Sequence, residues 1–154
     1  MTLERWKSEE KRRPQDKLLL RYWQLVGGLF FAEVRVGGPG PGPHWPEGSK
    51  ARRIDGVRVL PFTAGAFPGD IVKFGERQSE EFENQIAGAW VETIEVGATL
   101  GRYVIGQAIV GADLLHMGYG PAGVEKVIVC GQGDPLLESW CQEHGIKVWV
   151  APPE

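Results

Sequence analysis

The sequence has little of what zinc clusters, disulfide frameworks and membrane spans require. It contains two cysteines, Cys130 and Cys141, and three histidines without ligand spacing. No apolar run approaches the roughly 18 residues that a membrane span needs. No apolar stretch follows the first basic residues, so we expect no secretory signal. These absences predict a cytoplasmic protein without a zinc site and without a membrane partner.

Glycine and proline, by contrast, are abundant, with 22 and 11 residues among 154. They follow no collagen period, and a composition of 42% hydrophobic and 24% charged residues excludes disorder throughout. The length fits one domain over residues 1–154. Residues 37–43 are all glycine or proline, which predicts a flexible loop at 37–48 that forms neither helix nor strand.

The net charge of −3 hides an asymmetry along the chain. Residues 1–60 carry 12 Lys and Arg against 7 acids, whereas residues 61–154 carry 5 against 13. The basic half includes the runs at 11–13 and 50–53. Such a basic stripe is typical of a polyanion-binding protein, and the alternative is an ordinary solvated surface.

Hydrophobic periodicity predicts alternating helices and strands. The helices are expected at about 10–26, at 79–87 with Ser79 as its cap, at 103–117, and from the capping residue Asp134 to Gly145. The strands are expected at 29–36, 53–60, 90–96, 124–130 and 146–150. Residues 61–77 are expected to be irregular. The alternation places Phe30, Ala32, Val34 and Val36 on one side of the first strand, and Asp55, Val57 and Val59 on one face of the second.

The order of these elements predicts the fold class. Three early strands suggest a meander, and the last strands are joined through helices, which requires parallel pairing. We therefore expect an α/β protein, a three-layer α/β/α sandwich with a central mixed sheet.

Three carboxylates stand inside predicted strands, namely Glu33, Asp55 and Glu95. Acids are depleted in strands and are almost never fully buried unless paired. Buried together they would need a cation, for which Mg²⁺ or Mn²⁺ is the simplest choice. The alternative is that each faces water or pairs with a nearby arginine.

The order of these motifs resembles the PD-(D/E)XK nuclease superfamily, the restriction-endonuclease-like fold. Arg53-Ile54-Asp55-Gly56-Val57 corresponds to its Asp strand, Ile94-Glu95-Val96-Gly97 to its Glu-x-Lys strand, and Val104-Ile105-Gly106-Gln107-Ala108 to the following helix. Glu33 precedes them, and the first helix brings Glu9, Glu10 and Asp16 near its start.

The resemblance implies a nuclease that hydrolyses DNA phosphodiester bonds. Its metal, Mg²⁺ or Mn²⁺, would be held by Glu33, Asp55 and Glu95, with Gln107 as a further catalytic residue. Asp55 and Glu95 should lie on adjacent strands with their carboxylates close together. The residues expected to bind nucleic acid are Arg52, Arg53 and Arg102. Trp45, in the loop, is the tryptophan expected to stack on a base. A homodimer is compatible with this function.

Two departures from the family pattern matter. Ile54 replaces a proline that supplies no chemistry, but Gly97 stands where the family has its lysine. That lysine orients the attacking water, and Arg102 or Lys73 would have to replace it. The alternative function is an inactive nuclease-fold module that binds nucleic acid or a protein. A third hypothesis, a nucleotide-binding protein, rests on the turn Gly131-Gln132-Gly133-Asp134.

Overall fold

A computed structural model describes residues 14–40, 42–60, 71–73 and 76–154 of the protein. The elements in these ranges are α1 Pro14–Val26, β1 Phe30–Val36, β2 Arg52–Leu60, β3 Ile71–Lys73, α2 Glu76–Ile86, β4 Trp90–Thr99, α3 Arg102–Tyr119, β5 Gly123–Gln132, α4 Pro135–Glu143 and β6 Ile146–Val150. None of these helices combines the length and the apolar character that crossing a membrane requires.

The six strands form one mixed sheet in the order β3-β1-β2-β4-β5-β6. β1, β2 and β4 pair antiparallel, whereas β4, β5 and β6 pair parallel. The connections between β4 and β5 and between β5 and β6 each contain a helix, and both pairs are parallel, as predicted. β3 pairs parallel with β1 at the sheet edge. The prediction of an irregular segment over 61–77 is therefore wrong at residues 71–73 and 76–77, while 61–70 and 74–75 lie outside the described residues.

Helices cover both faces of the sheet. On one side, here called the α1 face, Leu19 and Trp23 pack against strand residues such as Ile94 and Val127. The opposite side, the α3 face, is covered by α2, α3 and α4 through residues that include Phe82, Leu115, Val104 and Cys141. The predicted α/β architecture with a mixed sheet between helices is thereby confirmed.

Local signals explain several helix ends. Gly27 ends α1 with a φ of 68°, and its N–H donates to the Trp23 carbonyl oxygen. The Asp134 side chain accepts hydrogen bonds from the N–H groups of Leu136 and Leu137, so it caps α4 as predicted. Ser79 is not a cap, because α2 already begins at Glu76. Residues 10–13, included in the predicted first helix, lie outside the described residues.

The side-chain alternation of β1 and β2 reverses in the middle of both strands. Phe30 and Ala32 pack on the α1 face, but Val34 and Val36 pack on the α3 face. The prediction that all four share one side is therefore wrong. The physical reason is Glu33, whose φ of 55° is left-handed and interrupts the two-residue period of a strand.

The same reversal affects β2, where Val57 and Val59 pack on the α3 face while Asp55 lines a cavity beneath α1. The expected common face of Asp55, Val57 and Val59 is therefore wrong. The β1–β2 register pairs Ala32 with Gly56 and Val34 with Ile54, which leaves two carboxylate residues at the point of reversal.

A buried ion pair fastens α1 to the sheet. The Arg58 guanidinium donates from Nε and Nη2 to the two carboxylate oxygens of Glu92, at 3.2 and 3.1 Å. The Tyr22 hydroxyl donates to Glu92 Oε1 at 2.6 Å. Charges are retained in a core only when they are paired and hydrogen-bonded, and these three residues satisfy one another.

Candidate functional site

A cleft of about 620 Å³ opens on the α3 face, between the start of β2 and the first half of α3. Its lining includes five residues that the sequence analysis assigned to the site: Arg52, Arg53, Glu95, Arg102 and Gln107. Arg102 begins α3, where the helix dipole is positive and Gly101 supplies no side-chain cap. The cleft thus combines three arginines and a helix N-terminus around one acidic side chain.

That acid, Glu95, is buried at 3% exposure. Its Oε1 faces the backbone of α3 at Gly111, where an added Cβ would lie 3.2 Å from that oxygen and 3.5 Å from Ile54 Cγ1. Glycine therefore gives the carboxyl group the space that a larger residue would fill. This role of Gly111 was not predicted. Its position one helical turn after Gln107 places both residues on the same face of the helix, which could have indicated that Gly111 lies at the site.

Asp55 lies beside Glu95 where β2 and β4 stop pairing. The β2–β4 ladder ends at the pair Gly56–Ile94, and beyond it the Asp55 carboxylate accepts a hydrogen bond from the Val96 N–H at 2.8 Å. A side-chain oxygen here replaces a backbone carbonyl of the ladder. The expected placement of Asp55 and Glu95 on adjacent strands is confirmed.

The carboxylate of Asp55 affects the ionisation of Glu95. Burial, followed by the negative charge of Asp55 and a hydrogen bond between the side chains, raises the pKa of Glu95 to about 9. Like charges in a low-dielectric site cannot both ionise cheaply. At neutral pH the Asp55–Glu95 pair therefore holds one proton between two carboxyl groups.

Glu33 lies apart from Glu95. It lines a small cavity of about 110 Å³ on the α1 face, which it shares with Asp55 and Asp16. Its Oε1 lies 3.9 Å from Arg53 Nη1. Within the described ranges, no group of three or more His, Cys, Asp or Glu side chains is placed to hold a metal ion. The structure thus brings Asp55 next to Glu95, although Asp55 lines the small cavity with Glu33 whereas Glu95 lines the cleft.

Several residues of the predicted site fall outside the description. Glu9, Glu10 and the basic run at 11–13 are not among the described residues, and neither is the side chain of Lys73. Asp16 is described, and it reaches the small cavity rather than the cleft.

Gly97 packs closely against the start of α3. An added Cβ would lie 3.2 Å from the Thr99 carbonyl oxygen and 3.4 Å from both Cβ and Cγ2 of Val104. The position of the family's lysine is thus occupied by a glycine with an aliphatic neighbour. Of the two cations proposed to replace the lysine, Arg102 lies in the same cleft as Glu95.

The loop after β1 makes hydrogen bonds with β1 and within itself, and one of its side chains packs against α3. Arg35 donates to the Pro39 carbonyl oxygen at 2.8 Å, and the Ser49 hydroxyl accepts from the Gly38 N–H at 3.0 Å. Trp45 packs against Gly118 and makes an edge-to-face contact with Tyr119, with ring centroids 6.3 Å apart. The Trp45 ring is thus half-buried against α3, and its stacking on a base stays a prediction.

The turn before α4 does not suit a phosphate. Asp134 already binds the first free N–H groups of the helix, and Glu138 Oε2 would lie 2.7 Å from a Cβ on Gly133. Two carboxylates therefore surround the position that a nucleotide's phosphate would need, and they would repel it. This geometry argues against the nucleotide-binding hypothesis.

Comparison with protein-family models, with curated proteins and with solved structures finds no match to this chain.

Proposed function

We propose that the protein is a metal-dependent nuclease with a restriction-endonuclease-like fold, and that it hydrolyses DNA phosphodiester bonds in the arginine-lined cleft. The observation that supports this most directly is the Asp55–Glu95 pair, of which Glu95 lines the cleft together with Arg52, Arg53 and Arg102. Anionic substrate and buried carboxylates are compatible in one site when a cation lies between them. The resemblance of the motif order to the PD-(D/E)XK pattern supports the same function.

The donor chemistry suits Mg²⁺ or Mn²⁺ in part. Asp55 and Glu95 supply oxygen ligands, which hard divalent ions prefer, and the proton they share is what a cation would displace. Glu33, the third ligand that the resemblance implies, lies in the adjacent cavity with Asp55. When bound, the ion would supply Lewis-acid activation of water. Mg²⁺ commonly completes its shell with waters, so two carboxylates suffice for a site.

The arginines and Gln107 would position the substrate. Arg52 and Arg53 are exposed at the start of β2, and Arg102 lies across the cleft at the start of α3. Guanidinium groups remain charged and bind phosphate oxygens in a bidentate manner. The half-buried Gln107 amide lies in the same cleft, where it would donate to a phosphate or to a water.

A second candidate is an inactive nuclease-fold module that binds nucleic acid or a protein. Two observations favour it. Gly97 supplies no cation and its surroundings are closed by Val104. Of the three expected carboxylates, Glu95 lines the cleft, whereas Glu33 and Asp55 line the small cavity on the α1 face. Such a protein would retain the arginine cleft and lose only the chemical step.

Calorimetric titration of Mn²⁺ into the purified protein tests the metal site. We expect binding that releases protons and strengthens with pH, because the ion replaces the proton of the Asp55–Glu95 pair. Glu95→Gln should abolish it, and Glu125→Gln, which changes an exposed acid outside the cleft, should not. Nicking of supercoiled plasmid with Mn²⁺ then distinguishes the two candidates. Nicking that Glu95→Gln removes supports the nuclease, whereas DNA binding without nicking supports the inactive module.

A further inference from the structure

An exposed aromatic ring stands at the mouth of the arginine cleft. Tyr103, the second residue of α3, is 82% exposed, yet it lines the cleft together with Arg52, Arg102 and Gln107. A ring exposed to this extent contributes little to the hydrophobic core. Because Tyr103 lies beside Arg52 and Arg102, the cleft suits a ligand that has both a negative charge and an aromatic face.

The cleft also contains an apolar wall beside its charges. Val110 is 52% exposed, and Val36 and Leu114 line the same surface. A groove that joins cations to an exposed ring and an apolar wall is the combination found in proteins that bind single strands, where bases stack on aromatic side chains. In a continuous duplex the base faces are covered by their neighbours, so a ring on the protein gains no stacking partner.

A second copy of this chain fits the same surface less well. Tyr103, Val110 and Met117 are spaced by seven residues and are all exposed, which is a spacing that suits helix packing. In a two-fold contact, however, the same patch lies on both subunits, so the arginines of the cleft would meet a surface that carries the same charges. Like charges at an interface oppose association. A polyanion matches the charge of the surface, whereas a second copy does not.

We propose that Tyr103 stacks on an unpaired base, so that the cleft takes single-stranded or locally unpaired nucleic acid rather than continuous duplex. This inference rests on the proposed function of the cleft and names the class of its substrate. The arginines hold the backbone on either side, and the stacked base sets the register of the strand against the Asp55–Glu95 pair.

Fluorescence anisotropy with a labelled 12-nucleotide single strand and its matched duplex tests the proposal, with EDTA present to prevent cleavage. Tyr103→Ala should weaken single-strand binding by about 5- to 150-fold, the range of base–aromatic stacking, and leave duplex binding unchanged. Tyr103→Phe, which keeps the ring, should bind like the wild type. A single strand of abasic nucleotides should bind the wild type and Tyr103→Ala equally, because it offers no base.

The outcomes separate this proposal from the function on which it rests. If the wild type binds neither oligonucleotide, both fail. If it binds nucleic acid and Tyr103→Ala leaves single-strand affinity unchanged, or lowers both affinities equally, the cleft keeps its function and the stacking role is overturned. A wild-type dimer in sedimentation that Tyr103→Ala dissociates, without a change in oligonucleotide binding, would assign the ring to a second copy instead.

Discussion

Glu33 and Asp55 stand opposite each other at the point where β1 and β2 both reverse the direction of their side chains. The register of the two strands is unchanged on either side, with Ala32 paired to Gly56 and Val34 paired to Ile54. The left-handed backbone of Glu33 thus does not shift the pairing. Both carboxylates line a cavity beneath α1.

This relationship predicts an unusual order of stability among variants of Glu33. Glu33→Ala and Glu33→Gly remove the same carboxylate, but alanine retains the penalty of a left-handed backbone, about 1–2 kcal/mol. We therefore expect Glu33→Gly to be more stable than Glu33→Ala by about 1 kcal/mol in urea unfolding. At Arg35, whose φ is not positive, the order should reverse. Equal stability of the two Glu33 variants would contradict the left-handed conformation.

The buried pair of Arg58 and Glu92 predicts a large effect on stability. Arg58→Met leaves the Glu92 carboxylate buried without its cation, so we expect a loss of about 3–5 kcal/mol in the free energy of unfolding. Tyr22→Phe removes one hydrogen bond to the same carboxylate and should cost about 1.5–3 kcal/mol. Urea unfolding followed by tryptophan fluorescence measures both. A loss below 1 kcal/mol for Arg58→Met would mean that water reaches Glu92.

The raised pKa of Glu95 predicts how stability depends on pH in the absence of metal. The folded pKa, about 9, lies above the ordinary value of 4.5, so the bound proton stabilises the fold fully below about pH 4.5. That contribution is lost as the pH rises to about 9. The slope is at most about 1.4 kcal/mol per pH unit for one proton.

Glu95→Gln provides the control, because its neutral amide cannot release a proton. Between pH 5 and pH 9 in EDTA, the free energy of unfolding of the wild type should fall relative to that of the variant. A constant difference between the two proteins across this range would show that Glu95 ionises near its ordinary pKa.

The arginines of the cleft predict salt-dependent binding of DNA. Replacing Arg52 and Arg53 with Ala should lower the affinity for a single strand and reduce the slope of log affinity against log salt by about 1.4, since each phosphate contact with a single strand contributes about 0.7. Lys17→Ala with Lys126→Ala removes two charges outside the cleft and should change the slope less. Anisotropy between about 50 and 200 mM salt measures both. Equal slopes for the two double variants would place the DNA elsewhere.

Gly97→Lys should increase the rate of DNA cleavage, because it places an ammonium group at the strand position two residues after Glu95. Restoring one stabiliser of developing charge is worth about 10²–10³ in rate. The new side chain must displace Val104, which lies 3.4 Å from the added Cβ, so Val104→Ala is combined with it. Nicking of supercoiled plasmid with Mn²⁺ measures the rate.

Three variants control this experiment. Gly97→Ala adds the Cβ without the charge and should not accelerate nicking. Gly97→Lys with Asp55→Ala should be inactive, because a carboxylate of the pair is missing. Arg102→Ala tests whether that arginine already supplies the cation, in which case nicking by the wild type is lost. A folded Gly97→Lys protein that binds Mn²⁺ and does not nick DNA would favour the inactive module.

The sequence by itself determined the parts of the fold that depend on local physics. Periodicity located α1, α3 and the core strands, Asp134 identified the start of α4, and helical connections implied that β4, β5 and β6 are parallel. Each of these rests on contacts or constraints within a few residues. The motif order around Asp55 and Glu95 likewise placed the two residues on adjacent strands.

Only the tertiary structure decided which carboxylates meet. Simple alternation placed Asp55 in line with Val57, whereas the left-handed Glu33 opposite it accompanies a reversal of both strands. β3 is too short to show a period, and it exists as a strand because β1 offers a free edge with which it pairs. The proton held between Asp55 and Glu95 depends on burial beneath α3 at Gly111. A single sequence does not encode such distances locally, because they arise when separate elements pack together.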